Sequence, residues 1–181
     1  MRRTIICRCC ILILIAACIS IVPAGAQQKR GPSTPEERAK AVALAHQLED
    51  QPLGPGAADA RKWLTIWLIE IPDISVEFCP SVLGPDLVIK KNNATEISAQ
   101  MMYSQLAFMI ENPDKAKDRT AVSVAGVKGA LKAYQAIQKD KPKGQFKSLD
   151  DLLAQQQNGT LDGAVKQSVA ANCKQNVGGG K

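Results

Sequence analysis

An all-α fold, a single helical domain of five or six helices, is predicted by three features of the sequence. Apolar residues recur at helical spacing along most of the chain, capping patterns precede several of these stretches, and strand-like alternation nowhere exceeds four residues. The 181 residues are 45% hydrophobic and 22% charged, a balance typical of one globular domain. This composition excludes a disordered or collagen-like chain.

Residues 1–26 are predicted to be a signal peptide that is cleaved during export. Three arginines precede residue 9, an apolar run extends from residue 11 to residue 22, and small residues end at Ala26, just before Gln27. The apolar run is shorter than the stretch of about 20 residues that crosses a bilayer as a helix. Cleavage after Ala26 is therefore favoured over a retained membrane anchor.

Cys18 offers a second alternative for the N-terminus. The residues before it, 15–17, resemble a bacterial lipobox, in which the cysteine is acylated and becomes the first residue of the mature protein. Lipoproteins usually become polar just after that cysteine, whereas residues 19–22 continue the apolar run. We therefore expect an exported protein, periplasmic or secreted, and lipid on Cys18 is the less favoured route to the membrane.

The charge balance argues against a nucleic-acid partner. Removal of the first 26 residues takes away three basic and no acidic residues, which leaves 20 basic against 17 acidic side chains and a net charge of +3. A nucleic-acid-binding surface needs clustered positive charge. Lys90–Lys91 and Lys139–Lys147 are the only basic clusters, and both are interpreted as solvated loops.

Cys79 and Cys173 are the only cysteines outside the predicted signal peptide. An even pair in an exported chain predicts a disulfide. The two residues are 94 positions apart, and closing a loop of this size stabilises a fold by about 4–5 kcal/mol in the chain-entropy description. A Cys-x-x-Cys motif, typical of redox catalysis, is absent from the sequence, so the pair is interpreted as structural.

The first two helices are predicted to form an antiparallel pair. Thr34 and Glu37 form a capping box for a helix that ends near Asp50. Two prolines and two glycines between residues 51 and 56 end that helix. A second helix follows from residue 57 to residue 71, with a wide apolar stripe.

The middle of the chain is predicted to supply the centre of the core. Residues 73–92 are irregular, with room for one short helix. A third helix begins at Asn93, the N-cap of a second capping box, and is apolar on almost every side, so other helices should surround it. A fourth helix over residues 115–139 is the longest. Gly126 and Gly129 lie inside it and are interpreted as positions of close helix packing.

Two shorter helices complete the predicted domain. Ser148 begins one of them, and Thr160 caps the last, which ends near Cys173. The single domain is placed at residues 34–176. It is preceded by a flexible leader at 27–33 and followed by a flexible tail at 177–181.

The candidate catalytic or metal-binding residues are few. His46 is the single histidine, so any Ser-His-Asp or Cys-His mechanism must use it, and a zinc site would have no second histidine. Glu70, Asp73 and Glu77 cluster at the predicted end of the second helix, where carboxylates can bind calcium or hydrolyse glycosides. The favoured interpretation is that these acids are solvated and that His46 is a partly exposed helical residue.

Trp63 and Trp67 are the only tryptophans, one helical turn apart. If exposed, they would form a partner-binding face. The aliphatic residues on the same stripe favour a core position instead.

The expected function is that of a non-catalytic binding or accessory protein of the bacterial envelope, with another exported protein as partner and no cofactor. In size and helical class the chain is similar to small periplasmic helical proteins with one cysteine pair, among them acid-stress chaperones. Two alternatives remain: a metal-binding or hydrolytic enzyme that uses the carboxylates of Glu70, Asp73 and Glu77, and an acid-responsive periplasmic chaperone.

Overall fold

The computed structural model describes residues 30–88 and 91–173, and it confirms the all-α fold there. These ranges hold no strand, and no helix in them is long and apolar enough to cross a membrane. The predicted signal peptide, with Cys18, and the predicted tail lie outside the described residues. The helices are α1 (Pro35–Asp50), α2 (Ala57–Glu70), α3 (Ala94–Glu111), α4 (Arg119–Asp140), α5 (Lys147–Gln157) and α6 (Leu161–Asn172).

Helices α1 and α2 form the predicted antiparallel pair. The Thr34 hydroxyl accepts a hydrogen bond from the Glu37 amide at 3.2 Å, and the Glu37 carboxylate accepts one from the Thr34 amide at 3.0 Å. The predicted capping box is therefore confirmed. Gly56 has a left-handed backbone, with φ of 76°, at the entry to α2. A residue without a Cβ adopts that conformation at little cost, so Gly56 completes the reversal between the two helices.

Helix α3 lies at the centre of the core, as its apolar sequence predicts. Tyr103 and Leu106 join α1 and α2 in one hydrophobic cluster. Ile97 and Met101 join α4, the start of α5, α6 and the segment before α3 in a second cluster. The most extensive helix contact in the structure is between α3 and α4. Helix α3 therefore connects the two halves of the core.

The predicted capping box at Asn93 is wrong. Asn93 has a φ of 65°, and its side chain makes no capping hydrogen bond to α3. Instead, Asn93 Oδ1 accepts a hydrogen bond from Lys141 Nζ at 3.3 Å. The residue whose side chain caps a helix usually has an extended backbone. The left-handed backbone of Asn93 instead directs its side-chain amide away from the first turn of α3.

The predicted start of the fourth helix at Lys115 is also wrong, because α4 begins at Arg119. Asp118 caps the helix, and its Oδ1 accepts hydrogen bonds from the amides of Thr120 and Ala121 at 3.0 Å each. The residues before Asp118 form turns, in which the Lys115 amide donates to the Asn112 carbonyl at 2.9 Å. The aspartate satisfies two amides that would otherwise lack partners, so the helix begins after it.

Helices α5 and α6 begin within one residue of Ser148 and Thr160, as predicted, but neither side chain caps its helix. The Ser148 amide donates to the Asp86 carboxylate at 3.1 Å, and the Ser148 hydroxyl donates to the same group. The Thr160 amide donates to Asn158 Oδ1 at 3.1 Å. Asp86 and Asn158 therefore accept the hydrogen bonds at the starts of α5 and α6.

The predicted disulfide joins Cys79 to Cys173, with a Cα separation of 5.8 Å. Within residues 73–88, two short 3₁₀ turns follow Cys79, where the sequence leaves room for one short helix. Arg119 reinforces the connection, because its Nη2 donates to the Cys173 carbonyl at 2.8 Å and its Nε donates to Glu77 at 2.6 Å. The end of α6 is thus tied both to this irregular segment and to the start of α4.

Candidate functional site

A cleft of about 730 Å³ opens between the last turns of α1 and α3, one side of α4 and the start of α6. Apolar and charged side chains both line it. The apolar lining consists of Phe108, Ala121, Val124 and Ala125, and the polar lining includes His46, Glu49, Ser104, Glu111, Lys115, Lys128, Lys132 and Asp162.

A buried carboxylate, that of Glu49, organises the polar side of the cleft. Its side chain is 10% exposed and accepts a hydrogen bond from the Ser104 hydroxyl at 2.6 Å. Gln100 Nε2 donates to the Ser104 oxygen and to the Ala45 carbonyl, at 3.0 Å each. Because each member of this network has a partner, Glu49 is held in place at the junction of α1 and α3.

Gly129 makes room for this network. A Cβ at that position would overlap the Ser104 side chain and would lie 2.7 Å from Glu49 Oε1. Gly126, one turn earlier, is also close to α3, since its Cβ would lie 2.8 Å from the Met101 carbonyl oxygen. The interpretation of mid-helix glycines as positions of close packing is confirmed, and Gly129 connects that packing to the cleft.

His46 lies between two carboxylates that come from different helices. Its Nδ1 is 3.1 Å from Glu49 on α1, and its Nε2 is 2.9 Å from Glu111 at the end of α3. Both contacts, that with Glu111 foremost, raise the pKa of His46 above its usual 6.5, although partial burial opposes them. Lys132 completes the group, 2.9 Å from Asp50 and 3.4 Å from Glu49.

The stability of the protein should depend on pH through His46. Because folding raises its pKa, the stabilising contribution is complete below the unfolded value of 6.5 and is lost as the pH rises through the folded pKa. We expect His46→Gln to lower the free energy of unfolding by about 0.5 kcal/mol at about pH 5.5 and by less at about pH 9, since half-exposed pairs contribute little. Urea unfolding at the two pH values measures both differences.

The pKa of His46 can be measured directly, because the chain contains one histidine and the imidazole NMR signals need no assignment once any histidine tag is removed. Glu111→Gln is the matched control, and it should bring the His46 pKa back toward its usual value. A wild-type pKa at or below 6.5 contradicts the contact geometry of this site.

Glu70, Asp73 and Glu77 do not converge on one another or on His46. They pair with separate arginines, Glu70 with Arg30 at 3.1 Å, Asp73 with Arg38 at 2.7 Å and Glu77 with Arg119 at 2.6 Å. The hydroxyl and amide of Ser33, together with Arg38, lower the pKa of Asp73 to about 2. Across the part of the chain that the structure describes, no three His, Cys, Asp or Glu side chains are placed to hold a metal ion.

The two tryptophans occupy different environments. Trp67 is buried, at 3% exposure, whereas Trp63 is partly buried and stacks on Trp67 with ring centroids 5.4 Å apart. Lys40 Nζ lies 4.2 Å from the centre of the Trp63 ring. The exposed apolar residues of α2 are Ile66 and Ile69, on the side of the helix that faces solvent.

The sequence singled out His46 as a candidate residue but gave no indication of Glu111, Ser104 and Lys132 as members of the same group. These residues are separated from His46 or Glu49 by 55 to 83 positions, so no local pattern connects them. One signal was available: Ser104 is among the few polar residues in the apolar part of α3. A polar residue on a buried helix indicates a buried partner, though it does not identify that partner.

A scan of protein-family models and searches of curated proteins and of solved structures find no match to this chain. Its function is therefore inferred from the residues and the geometry described above.

Proposed function

We propose that this chain is an exported, non-catalytic binding protein that receives an amphipathic segment of a partner protein in the cleft between α1, α3, α4 and α6. The observation that carries the proposal is the cleft itself. Its volume of about 730 Å³ falls within the range of about 300–1,000 Å³ that is typical of ligand sites. The cleft also combines an apolar lining with a small number of positioned polar groups, as such sites do.

The polar groups of the cleft are held in place before any ligand arrives. Ser104 and His46 orient the Glu49 carboxylate, and Lys128 pairs with Asp162 at 3.0 Å. Groups that are already ordered lose little conformational entropy on binding. The cleft therefore favours an occupant whose apolar side chains contact Phe108 and the other apolar lining residues, and whose polar groups bind the polar residues of the rim.

The arrangement of hydrogen bonds supports binding over nucleophilic catalysis. A serine nucleophile needs its proton to be taken by an adjacent base, most often an imidazole. Here Ser104 is buried and its hydroxyl donates to a carboxylate, a weaker base than an imidazole, and both nitrogens of His46 face carboxylates rather than Ser104. The contacts of Ser104 and His46 within the described residues thus form a structural network around the cleft.

Export, the other half of the proposal, rests on the N-terminal sequence and on the cysteines. Residues 1–26 have the pattern of a signal peptide, and a disulfide between Cys79 and Cys173 persists in an oxidising compartment. A partner is accordingly expected among proteins of the envelope or the secreted space.

An amphipathic fluorescent probe, anilinonaphthalene sulfonate, tests whether the cleft binds such molecules. Ala125 lines the cleft on α4 and is partly exposed, so Ala125→Trp should fill the cleft without disturbing the core. We expect this substitution to weaken probe binding at least about tenfold, because loss of most apolar contact costs more than 1.4 kcal/mol. A fluorescence titration measures the dissociation constant.

Two further variants make the result specific to the cleft. Ile66→Ser with Ile69→Ser removes the exposed apolar residues of α2 and should leave probe binding unchanged. Lys166→Gln, at an exposed position of α6, controls for general surface effects. If the α2 variant loses binding and Ala125→Trp retains it, the cleft is not the binding surface and the proposal fails.

A further inference from the structure

Two lysine-rich loops that are distant in sequence meet at one end of the helical bundle. The first precedes α3 and contains Lys91, and the second connects α4 to α5 and contains Lys141 and Lys143. Lys141 Nζ donates a hydrogen bond to Asn93 Oδ1 at 3.3 Å, across 48 positions of sequence. Both loops line a shallow cavity of about 320 Å³. The sequence presents these lysines as separate clusters, and the fold joins them into one surface, here called the basic end.

The positive charge of the basic end is not neutralised by nearby carboxylates. Lys91, Lys141 and Lys143 are exposed, and within residues 30–88 and 91–173 none of them lies within 4.0 Å of a carboxylate oxygen. By contrast, Lys128, Lys132 and Lys147 each pair with an aspartate. Asp140 is the one acidic residue between positions 139 and 147. Three positive charges therefore face solvent together.

We propose that the basic end docks on the anionic head-group surface of a phospholipid bilayer. The three lysines are exposed on two loops, and the cavity that Lys141 and Lys143 line is open to solvent. This arrangement suits a broad charged surface better than an enclosed ion. Each lysine near an anionic bilayer strengthens attachment by about 5-fold, and the effect falls off within a Debye length of about 8 Å at physiological salt. Contact through three lysines is accordingly weak, reversible and sensitive to salt.

This orientation has a consequence for the rest of the molecule. The cleft is lined by the last turns of α1 and α3 and by α4 from Thr120 to Gln135, whereas the basic end lies beyond the last residue of α4 and before the first residue of α3. The two surfaces share no lining residue. Docking at the basic end therefore leaves the cleft free, and the two proposals can fail separately.

Sedimentation with vesicles tests the inference. The full chain is mixed with vesicles of phosphatidylglycerol and phosphatidylcholine in equal parts, or of phosphatidylcholine alone, and the ratio of the two partition coefficients measures the electrostatic contribution. The arginines in residues 1–26 contribute to this ratio in wild type and variant alike, so the change of the ratio between the two proteins isolates the contribution of the basic end. Lys141→Gln with Lys143→Gln should lower this ratio about 25-fold, since each lysine accounts for about 5-fold. Raising the salt to about 0.5 M should abolish the difference between wild type and variant.

Matched controls separate the outcomes. Lys62→Gln with Lys166→Gln removes two exposed lysines from other parts of the bundle and should leave the ratio unchanged. An equal loss in this control, or no preference for phosphatidylglycerol in the wild type, overturns the proposal. Competition by millimolar inorganic phosphate identifies a site for a free anion instead, and preferential binding to polyglutamate identifies an acidic polypeptide as the partner; either result also overturns it.

Discussion

Replacing Cys79 and Cys173 together by alanine should lower the free energy of unfolding by about 4–5 kcal/mol, because the disulfide closes a loop of 94 residues in the unfolded chain. A typical domain has only about 5–15 kcal/mol of stability, so this loss is severe. The disulfide also joins α6 to a segment with little other regular structure, since residues 73–88 hold only two short 3₁₀ turns. Urea unfolding measures the difference.

The reduced wild type is the natural control for this prediction. Adding a thiol reductant should bring the unfolding midpoint of the wild type close to that of the double alanine variant and should leave the variant unchanged. Arg119 should hold part of the α6 end in place after reduction, through its bonds to Glu77 and to the Cys173 carbonyl. Equal urea midpoints for oxidised and reduced protein contradict a stabilising disulfide.

Replacing Gly129 by alanine should destabilise the protein by about 2–4 kcal/mol, although alanine is the better helix former by about 1 kcal/mol. The added Cβ would overlap the Ser104 side chain and press on Glu49, 2.7 Å away. Either α3 and α4 move apart, with the cost of disturbed packing, or the bond from Ser104 to Glu49 is lost and a buried carboxylate is left without that partner. Chemical denaturation of the purified variant gives the loss.

Gly163→Ala is the matched control for Gly129→Ala. Gly163 lies in the first turn of α6, and a Cβ there meets no atom within 4 Å. This substitution should stabilise the protein by up to about 1 kcal/mol, the usual benefit of alanine over glycine in a helix. If both glycine variants gain stability, the close approach of α4 to Ser104 and Glu49 is not a feature of the folded protein.

These two experiments report on different parts of the molecule. The disulfide acts on the segment after α2 and on the end of α6, whereas Gly129 acts on the buried network beside the cleft. Gly129→Ala should therefore also raise the dissociation constant of the amphipathic probe, while reduction of the disulfide should affect it less. The cleft depends on close packing between α3 and α4, and that packing depends on a residue without a side chain.

Local patterns in the sequence predicted the helices because helix formation depends on residues that are only a few positions apart. The apolar period of α2 follows from 3.6 residues per turn, and the capping box of Thr34 and Glu37 involves neighbours three positions apart. The disulfide was predictable for a different reason: once the predicted signal peptide is set aside, Cys79 has one candidate partner. The prediction of a side-chain cap failed at Asn93, because its Oδ1 accepts a hydrogen bond from Lys141, 48 positions away, instead.

The sequence alone thus indicated the helical class, the order of the helices and the cysteine pair, all of which follow from short-range spacing or from counting. The candidate site and the basic end arise from packing. His46 meets Glu111, Ser104 meets Glu49 and Lys141 meets Asn93 only when helices far apart in the chain pack at particular rotations. Those rotations depend on how whole helix faces fit together, as where α4 approaches Ser104 at Gly129, and no short stretch of sequence contains that information.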